Sequence, residues 1–278
     1  MAAMPKLPPP LRRPGTPRRA VVALLAVLAV VAPATPASAH HRGPAQPAPA
    51  TPVPLPQLND LLTGLLAALF PPGGAGTVAP SVQERVAAST VRVAGADCRG
   101  VRVGSGFAAR PDLAVTAAHV VAGVTRPEVL RPDGRRLPAT VVAFDPDRDL
   151  AVLRVDGLGQ SPLPLGRPVV GTQGAVFGYP GGQPRVEISP ATIVASGVVR
   201  LDNLYGGLTS REILRLNARL APGDSGGPLV DGAGTVVGVA FAVSTVRPDV
   251  AYAVTARELE PVLNSASTSP VSTGACLS

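Results

Sequence analysis

Apolar residues in the second part of the chain occur in short runs that Gly, Pro and Asp separate. From about residue 80 onward, about ten such runs follow one another, which is the pattern of short strands joined by turns. Apolar and polar residues alternate from Leu214 to Leu220, the period of a half-buried strand. The predicted strands span 90–94, 106–109, 113–117, 139–143, 150–155, 175–178, 193–199, 214–220, 236–242 and 252–254. Because no helices alternate with these strands, the pattern predicts an all-β domain of closed or nearly closed antiparallel barrels.

The segment before this domain, residues 40–79, has a different pattern and is expected to be a Pro/Ala-rich linker with a short Leu-rich helix. Residues 40–56 are rich in Pro, Ala and Gln without periodicity, which predicts a linker. Residues 57–70 carry Leu at helical spacing, and Asn59 is suited to cap a short helix there. That helix could pack on the domain, form part of a pro-segment or lie on a membrane surface. It contains no cationic side chain, which disfavours the membrane alternative.

The N-terminus resembles an export signal. Arg18 and Arg19 precede an apolar run from Ala20 to Ala32, and the small residues Ala37-Ser38-Ala39 follow. This pattern predicts a signal peptide at residues 1–39 and a secreted or cell-envelope protein. An uncleaved anchor is the alternative, but the run is short for a membrane span. We therefore expect no transmembrane span after cleavage.

Composition and charge argue against one class of function, nucleic-acid binding. The chain is 46% hydrophobic but only 3% aromatic, so Val, Leu and Ala must supply the core. Its net charge of +7 is concentrated in residues 1–39, which carry five basic residues and no acidic one. Nucleic-acid binding requires a basic patch in the folded part, with aromatic residues interleaved. Residues 80–278 contain no such patch, so no nucleic-acid partner is predicted.

The run from Pro222 to Leu229, Pro-Gly-Asp-Ser-Gly-Gly-Pro-Leu, carries the clearest chemical signal. A serine hydroxyl needs a base to become a nucleophile, and it needs N–H donors for the oxyanion that forms. Glycines let the backbone bend so that N–H groups converge, which makes Ser225 the candidate nucleophile. The N–H groups of Gly223 and Ser225 are the candidate oxyanion hole. The alternative is a glycine-rich turn without catalytic function.

The identity of the base follows from the histidines. The same run fits the Gly-x-Ser-x-Gly elbow of α/β-hydrolases, but that fold places its histidine after the serine. No histidine follows Ser225, and His40 and His41 lie in the linker, where adjacent histidines are usually incidental. His119, at the end of a predicted strand, is therefore the candidate general base.

A carboxylate must orient the imidazole ring. Asp149 is the candidate because it begins an apolar strand, where a carboxylate can be buried. Asp145 and Asp147 are rivals, but they lie in a polar turn that contains proline. The order His119, Asp149, Ser225 is that of chymotrypsin-type enzymes. Their acyl-enzyme mechanism requires no metal and no cofactor, and we predict neither.

Several motifs in this order resemble those of trypsin-like serine proteases of the bacterial, HtrA-like branch. They are Gly104-Ser105-Gly106-Phe107, Thr-Ala-Ala-His ending at His119, Asp-Leu-Ala-Val-Leu from Asp149, Phe177-Gly178-Tyr179-Pro180-Gly181 and the Ser225 run. The resemblance covers about residues 82–263. It implies a chymotrypsin-like fold of two six-stranded antiparallel β-barrels, with the active site in the cleft between them. A protease domain is then expected at 80–278, with barrels at about 80–165 and 166–265. No PDZ domain is expected in the residues that follow 263.

The chain has two cysteines, Cys98 and Cys276. In an exported protein they can form a disulfide, although two free thiols are the alternative. Mycobacterial periplasmic members of the same family have similar cysteines before the Gly-Ser-Gly-Phe segment and near the C-terminus. The resemblance therefore implies a Cys98–Cys276 disulfide, worth about 5 kcal/mol in the chain-entropy model.

Substrate preference is the last expectation. In this fold the primary pocket is formed just before the serine and by the strand after it, which points to Arg219, Val239, Ala240 and Phe241. An apolar side chain of small to medium size is therefore expected at the cleaved position. The predicted function is that of a secreted serine endopeptidase acting on protein or peptide substrates. A catalytically silent binding module of the cell envelope is the alternative, and the presence of all three triad residues disfavours it. No oligomeric state is predicted.

Overall fold

The structure, a computed structural model, describes residues 78–277. The predicted signal peptide at 1–39 and the Leu-rich helix at 57–70 lie outside the described residues. No helix within 78–277 is long and apolar enough to cross a membrane. The helices are α1 (Pro80–Ser89), α2 (Ala118–Val121) and α3 (Ala256–Asn264), with a 3-10 turn at Pro180–Gly182. The strands are β1 (Thr90–Ala96), β2 (Val101–Arg110), β3 (Leu113–Ala117), β4 (Glu128–Leu130), β5 (Arg136–Pro138), β6 (Thr140–Asp145), β7 (Leu150–Arg154), β8 (Gln173–Gly178), β9 (Glu187–Asp202), β10 (Leu208–Ala218), β11 (Pro228–Asp231), β12 (Val236–Val243) and β13 (Val250–Thr255).

The first seven strands form one antiparallel sheet in the order β5-β4-β1-β2-β3-β7-β6. The expectation of six strands differs from this count for a local reason. The edge strands β5 and β6 are separated only by Ala139, whose N–H donates to the Pro127 carbonyl oxygen at 2.9 Å. The continuous segment 136–145, bent at Ala139, therefore supplies both edges of the sheet. If β5 and β6 are counted as one strand, the sheet has the six strands expected.

The other six strands form a closed barrel in the order β10-β13-β12-β11-β8-β9. Its longest hairpin pairs β9 with β10, with one register shift between Arg215 and Leu216. Leu214, Leu216 and Ala218 are buried while Arg215 and Asn217 are exposed, which confirms the predicted alternation. The predicted all-β architecture of two antiparallel sheets is thus confirmed.

Seven elements within residues 78–277 were not predicted: the helices α1, α2 and α3, the 3-10 turn, and the strands β4, β5 and β11. Two of them, α1 and α3, matter for packing. Helix α1 begins at a proline, which suits a first turn, and it buries Val86 and Ser89. Helix α3 buries Leu259, Val262 and Leu263, a spacing that the sequence does contain. The strands β4, β5 and β11 have three or four residues each, too few for a period to be visible.

One buried cluster joins the two sheets. It combines Phe107 of β2 and Leu150 of β7 with Phe177 of β8 and Val254 of β13. Leu259 of α3 completes it and is fully buried. Since residues from both sheets share this apolar core, the sheets are held together by the same burial that stabilises each of them.

Leu259 should therefore be costly to truncate. We expect Leu259→Ala to lower the free energy of unfolding by about 2–5 kcal/mol, because it leaves a cavity at the junction of the two sheets. Urea denaturation followed by circular dichroism measures this. Glu260→Ala is the matched control, since Glu260 is exposed on the same helix and its loss should cost little. Equal losses for both variants would contradict the assignment of Leu259 to the shared core.

Candidate active site

His119 lies on α2, the single helical turn that follows β3 directly. Its Nδ1 is 2.8 Å from Oδ2 and 3.1 Å from Oδ1 of Asp149. Its backbone N–H also donates to Oδ1 of Asp149 at 2.9 Å. The structure therefore brings this predicted pair together. The Asp149 carboxylate accepts hydrogen bonds from both the ring and the backbone N–H of His119.

Asp149 precedes β7 in an unusual conformation. Its φ is 56°, in the left-handed region, and within residues 78–277 no other non-glycine residue has a positive φ. Its carbonyl oxygen accepts a hydrogen bond from Ala118 N–H at 3.1 Å, and its side chain is almost fully buried. Such backbone strain persists only where surrounding contacts hold it, and it is concentrated at functional sites.

The rival aspartates are engaged elsewhere. Asp145 accepts hydrogen bonds from the backbone N–H groups of Asp147 and Arg148 and pairs with the Arg148 guanidinium at 2.9 Å. Asp147 accepts a hydrogen bond from the Asn203 amide at 2.7 Å. Within residues 78–277 neither carboxylate forms a hydrogen bond with His119, whereas that of Asp149 does.

The hydrogen bond to Asp149 determines what the imidazole can do. A carboxylate only accepts hydrogen bonds, so Nδ1 of His119 must carry the proton. In the neutral ring Nε2 then keeps a lone pair. Nε2 makes no hydrogen bond within residues 78–277, and about a quarter of the side chain is exposed. The ring is therefore arranged as a proton acceptor that remains accessible from outside.

Ser225 lies in the turn between β10 and β11, pressed against the first sheet. Its carbonyl oxygen accepts a hydrogen bond from Ser105 N–H at 2.7 Å, and the next N–H, of Gly226, donates to Ala240 at 2.7 Å. Gly226 has a φ of 87°, and a Cβ there would lie 2.5 Å from Thr116 Oγ1. Only glycine permits this approach, which sets the serine turn against the strands that lead to His119.

The turn and α2 are close neighbours. A Cβ added to Gly104 would lie 2.5 Å from a Val120 methyl group and 3.0 Å from the Ser225 carbonyl oxygen. The backbone of Gly104 therefore lies directly between Val120, the residue after His119, and Ser225, the candidate nucleophile. Among the described residues, no hydrogen bond engages the Ser225 hydroxyl or joins it to the His119 ring. The Ser225 hydroxyl and Nε2 of His119 thus have no hydrogen-bond partner within residues 78–277, whereas Nδ1 is engaged by Asp149.

The predicted oxyanion donors lie in the same turn. Gly223 has a φ of 107°, and a Cβ there would overlap the Tyr179 carbonyl oxygen. Within the part of the chain that the structure describes, neither Gly223 N–H nor Ser225 N–H has an acceptor. These two backbone donors, one on each side of Asp224, are therefore free of acceptors among the described residues.

A cavity of about 210 Å³ opens beside Ser225. Ala240 and Phe241 line it as predicted, together with Leu220, Ala221, Pro222, Asp224, Ala242 and Val243. Two predicted pocket residues lie elsewhere. Val239 is fully buried in the core, because its side chain turns inward from β12. Arg219 lines a separate, wider groove with Glu187 and Asp249, because the chain alternates direction between Arg219 and Leu220.

Asp224 is a buried carboxylate within this pocket wall. It is 4% exposed, and Oδ2 accepts a hydrogen bond from Ala221 N–H at 2.8 Å. Burial raises its pKa, the hydrogen bond from Ala221 opposes this, and the negative charge of Glu187 adds to the rise. No cation pairs with Asp224 within residues 78–277. Its ionised form is therefore costly in the folded state.

Arg211 of β10 was not anticipated, since a lone arginine before an alternating strand carries no signal. Its side chain is 4% exposed, lies 4.5 Å over the Phe241 ring and donates to the Asp147 carbonyl oxygen at 3.2 Å. Burial lowers its pKa, and four carboxylates act in the opposite direction: Asp149, Asp145, Glu258 and Asp147. Arg211 thus places a buried cation between the pocket wall and the loop that carries Asp149.

The two cysteines are joined. A disulfide links Cys98 to Cys276, with Cα atoms 6.2 Å apart. The C-terminal segment that carries Cys276 runs along the first sheet, where Val271 N–H donates to Val141 and Gly123 N–H donates to Thr273. The bond therefore fastens the chain end to the sheet that supplies His119.

Two curled antiparallel sheets with His119, Asp149 and Ser225 in this chain order define the chymotrypsin-like class of serine peptidases. Residues 104–239 match the family model described as trypsin-like peptidase domain. The serine protease Rv3671c of Mycobacterium tuberculosis is 37% identical over 186 residues, 65% of this chain and 46% of that protein. The mitochondrial serine protease HTRA2 of Bos taurus is 40% identical over 140 residues, 49% of this chain and 30% of that protein. The chain thus spans less than half the length of these relatives.

Solved structures agree. The active form of the M. tuberculosis Rv3671c protease superposes with a TM-score of 0.70 at 34% identity, covering 73% of this chain and 92% of that chain. Its inactive form gives a TM-score of 0.61 at 32% identity, covering 68% and 94%. The chain belongs to the trypsin-like serine protease family and is similar to members of its HtrA branch.

The burial of Asp224 predicts a pH-dependent stability. Because its pKa is raised, the penalty is present above the folded pKa and absent below the unfolded value of about 3.9. Asp224→Asn keeps an acceptor for the Ala221 N–H but carries no charge. We expect the variant to be more stable than wild type at pH 7 and the difference to vanish as the pH falls toward 4. Urea denaturation across this range measures it, and a less stable variant at pH 7 would contradict the account.

Proposed function

We propose that this chain is an exported serine endopeptidase that uses His119, Asp149 and Ser225 as a catalytic triad. The observation that carries the proposal is the pairing of His119 Nδ1 with the buried Asp149 carboxylate, which leaves Nε2 as a free proton acceptor. A histidine held in this tautomer is the base that a serine nucleophile needs.

The mechanism follows from these positions. Nε2 of His119 takes the proton of the Ser225 hydroxyl as the oxygen attacks the peptide carbonyl carbon. Asp149 stabilises the imidazolium that forms and keeps its orientation. The C–N bond then breaks while the imidazolium returns its proton to the leaving amine. Water, activated by the same imidazole, hydrolyses the acyl-enzyme and restores Ser225.

Negative charge on the carbonyl oxygen requires donors at the moment of attack. The N–H groups of Gly223 and Ser225 have no acceptor among the described residues. They are therefore available to donate hydrogen bonds to the carbonyl oxygen of the substrate. Loss of one such donor typically lowers the rate by about 100- to 1000-fold. The His–Ser hydrogen bond is often long in unliganded enzymes and tightens with substrate, so the mechanism does not require that bond before substrate binds.

The pocket indicates the substrate class. Leu220, Ala221, Ala240, Phe241 and Val243 give it a mainly apolar wall. The Asp224 carboxylate in the wall is committed to Ala221 N–H. This favours an apolar residue of small to medium size before the cleaved bond of a protein or peptide.

Export is supported by three observations. The apolar run at Ala20–Ala32 and the small residues up to Ala39 have the form of a cleaved signal. A disulfide such as Cys98–Cys276 is typical of an oxidising compartment and rare in the cytosol. A Chlamydia pneumoniae relative, 33% identical over 144 residues, is named as a probable periplasmic DegP-like endoprotease.

The role of Ser225 can be tested with a fluorophosphonate probe, which reacts with activated serines. We expect wild type to be labelled and Ser225→Ala to take no label, because the nucleophilic oxygen is gone. Labelling of His119→Ala should fall by at least about 1000-fold, since no base remains. Ser210→Ala is the matched control at an exposed serine and should label like wild type. Equal labelling of wild type and Ser225→Ala would refute the proposal.

The pocket predicts the preference of cleavage. In a peptide library we expect cleavage after Ala, Val and Leu, with kcat/KM at least about tenfold above that for Lys or Arg. Arg219→Ala serves as the control and should leave the preference unchanged, because Arg219 lies outside this pocket. Preferred cleavage after Lys or Arg would contradict the assignment of the pocket.

A further inference from the structure

Ser105, in the Gly-Ser-Gly-Phe segment of β2, has no part in the mechanism above. Its side chain is fully buried where the first sheet meets the Ser225 turn. The hydroxyl oxygen accepts a hydrogen bond from Tyr179 N–H at 2.8 Å, and the hydroxyl donates to the Gly223 carbonyl oxygen at 2.6 Å. One hydroxyl thus connects the end of β8 with a candidate oxyanion donor.

The direction of this connection is determined. A hydroxyl has one proton, and because its oxygen already accepts from Tyr179, the proton is left for Gly223. Water cannot replace the contact, since Ser105 is fully buried. The backbone of Ser105 reinforces it, because its N–H donates to Ser225 at 2.7 Å and its carbonyl accepts from Thr116 Oγ1 at 2.7 Å.

The peptide group before Gly223 is held from the other side. Gly181 N–H donates to the Pro222 carbonyl oxygen at 2.7 Å, and the Arg92 guanidinium donates to the neighbouring Gly182 carbonyl. In a planar trans peptide the C=O and the following N–H point in opposite directions. With the Pro222 carbonyl turned toward Gly181, the Gly223 N–H is turned away from it, to the side without a protein acceptor.

We infer that Ser105 is a positioning residue for the oxyanion hole: its hydroxyl fixes the peptide group after Gly223, while Gly181 N–H fixes the peptide group before it. With both dihedral angles of Gly223 restrained in this way, its N–H stays turned toward the reacting carbonyl group. The inference rests on the proposed function. Ser105 does not touch substrate and acts through Gly223. Without the hydroxyl, Tyr179 N–H and Gly223 C=O lose their partner, and glycine offers little resistance to rotation of its two peptide groups.

The test compares steady-state kinetics of Ser105→Ala and wild type on one peptide substrate with an apolar residue before the cleaved bond. We expect kcat to fall by about 10- to 100-fold while KM stays within about twofold, because a misplaced oxyanion donor weakens only the transition state. Fluorophosphonate labelling should slow in parallel. The matched control is Ser89→Ala, a buried serine whose hydroxyl also donates to a carbonyl, that of Ser161 at 2.7 Å. It should leave kcat unchanged, whatever its thermal unfolding temperature.

Ser105→Cys keeps the size of the side chain and a weak donor, and it decides the matter if Ser105→Ala does not fold. An intermediate kcat with unchanged KM supports the inference. A kcat within about twofold of wild type for the folded variant, or a loss confined to KM, overturns it while leaving the proposed function intact. A wild-type protein that neither cleaves peptides nor takes the label overturns the proposed function, and this inference with it.

Discussion

The hydrogen bond from Ser105 N–H to the Ser225 carbonyl is the contact on which the site depends. It fastens the serine turn of the closed barrel to the strand beside the one that leads to His119. Close approach is possible only because Gly104 and Gly226 have no Cβ at this point. A nucleophile and a base from different sheets can act together only if this junction is rigid, and the apolar core shared by both sheets supplies the rigidity.

The loop that carries Asp149 is held across the same junction by charge. Arg148 pairs with Asp145 in the loop and with Glu258 of α3, and Arg211 donates to the Asp147 carbonyl. These contacts hold Asp149 in its left-handed conformation, at the position where its carboxylate reaches His119. Half-exposed pairs such as Arg148–Asp145 stabilise a protein little, so we interpret the network mainly as a device that fixes one loop geometry.

The sequence allowed most of the architecture to be predicted, because local rules determine it. Alternation identified the strand Leu214–Leu220, and the burial argument pointed to Asp149 rather than Asp145 or Asp147. The unpredicted features depend on tertiary contacts. The inward direction of Val239 depends on the pairing of β11 with β12, which contains a register shift, and the β5–β6 edge depends on one bend at Ala139. The direction of Arg219, by contrast, follows from the local alternation with Leu220. The roles of Arg211 and of the Ser105 hydroxyl could not be predicted, because their partners, Phe241 and Gly223, are far away in sequence.

The central claim is that Ser225 and His119 act on one substrate as a unit. A peptide chloromethyl ketone with an apolar terminal residue tests it directly, because this reagent bonds to a serine oxygen and a histidine nitrogen only when both flank its carbonyl. A crystal structure of the treated protein should contain bonds from Ser225 Oγ to the former carbonyl carbon and from His119 Nε2 to the methylene carbon. Alkylation at another residue, or equally fast alkylation of His119 in a Ser225→Ala variant, would contradict the account.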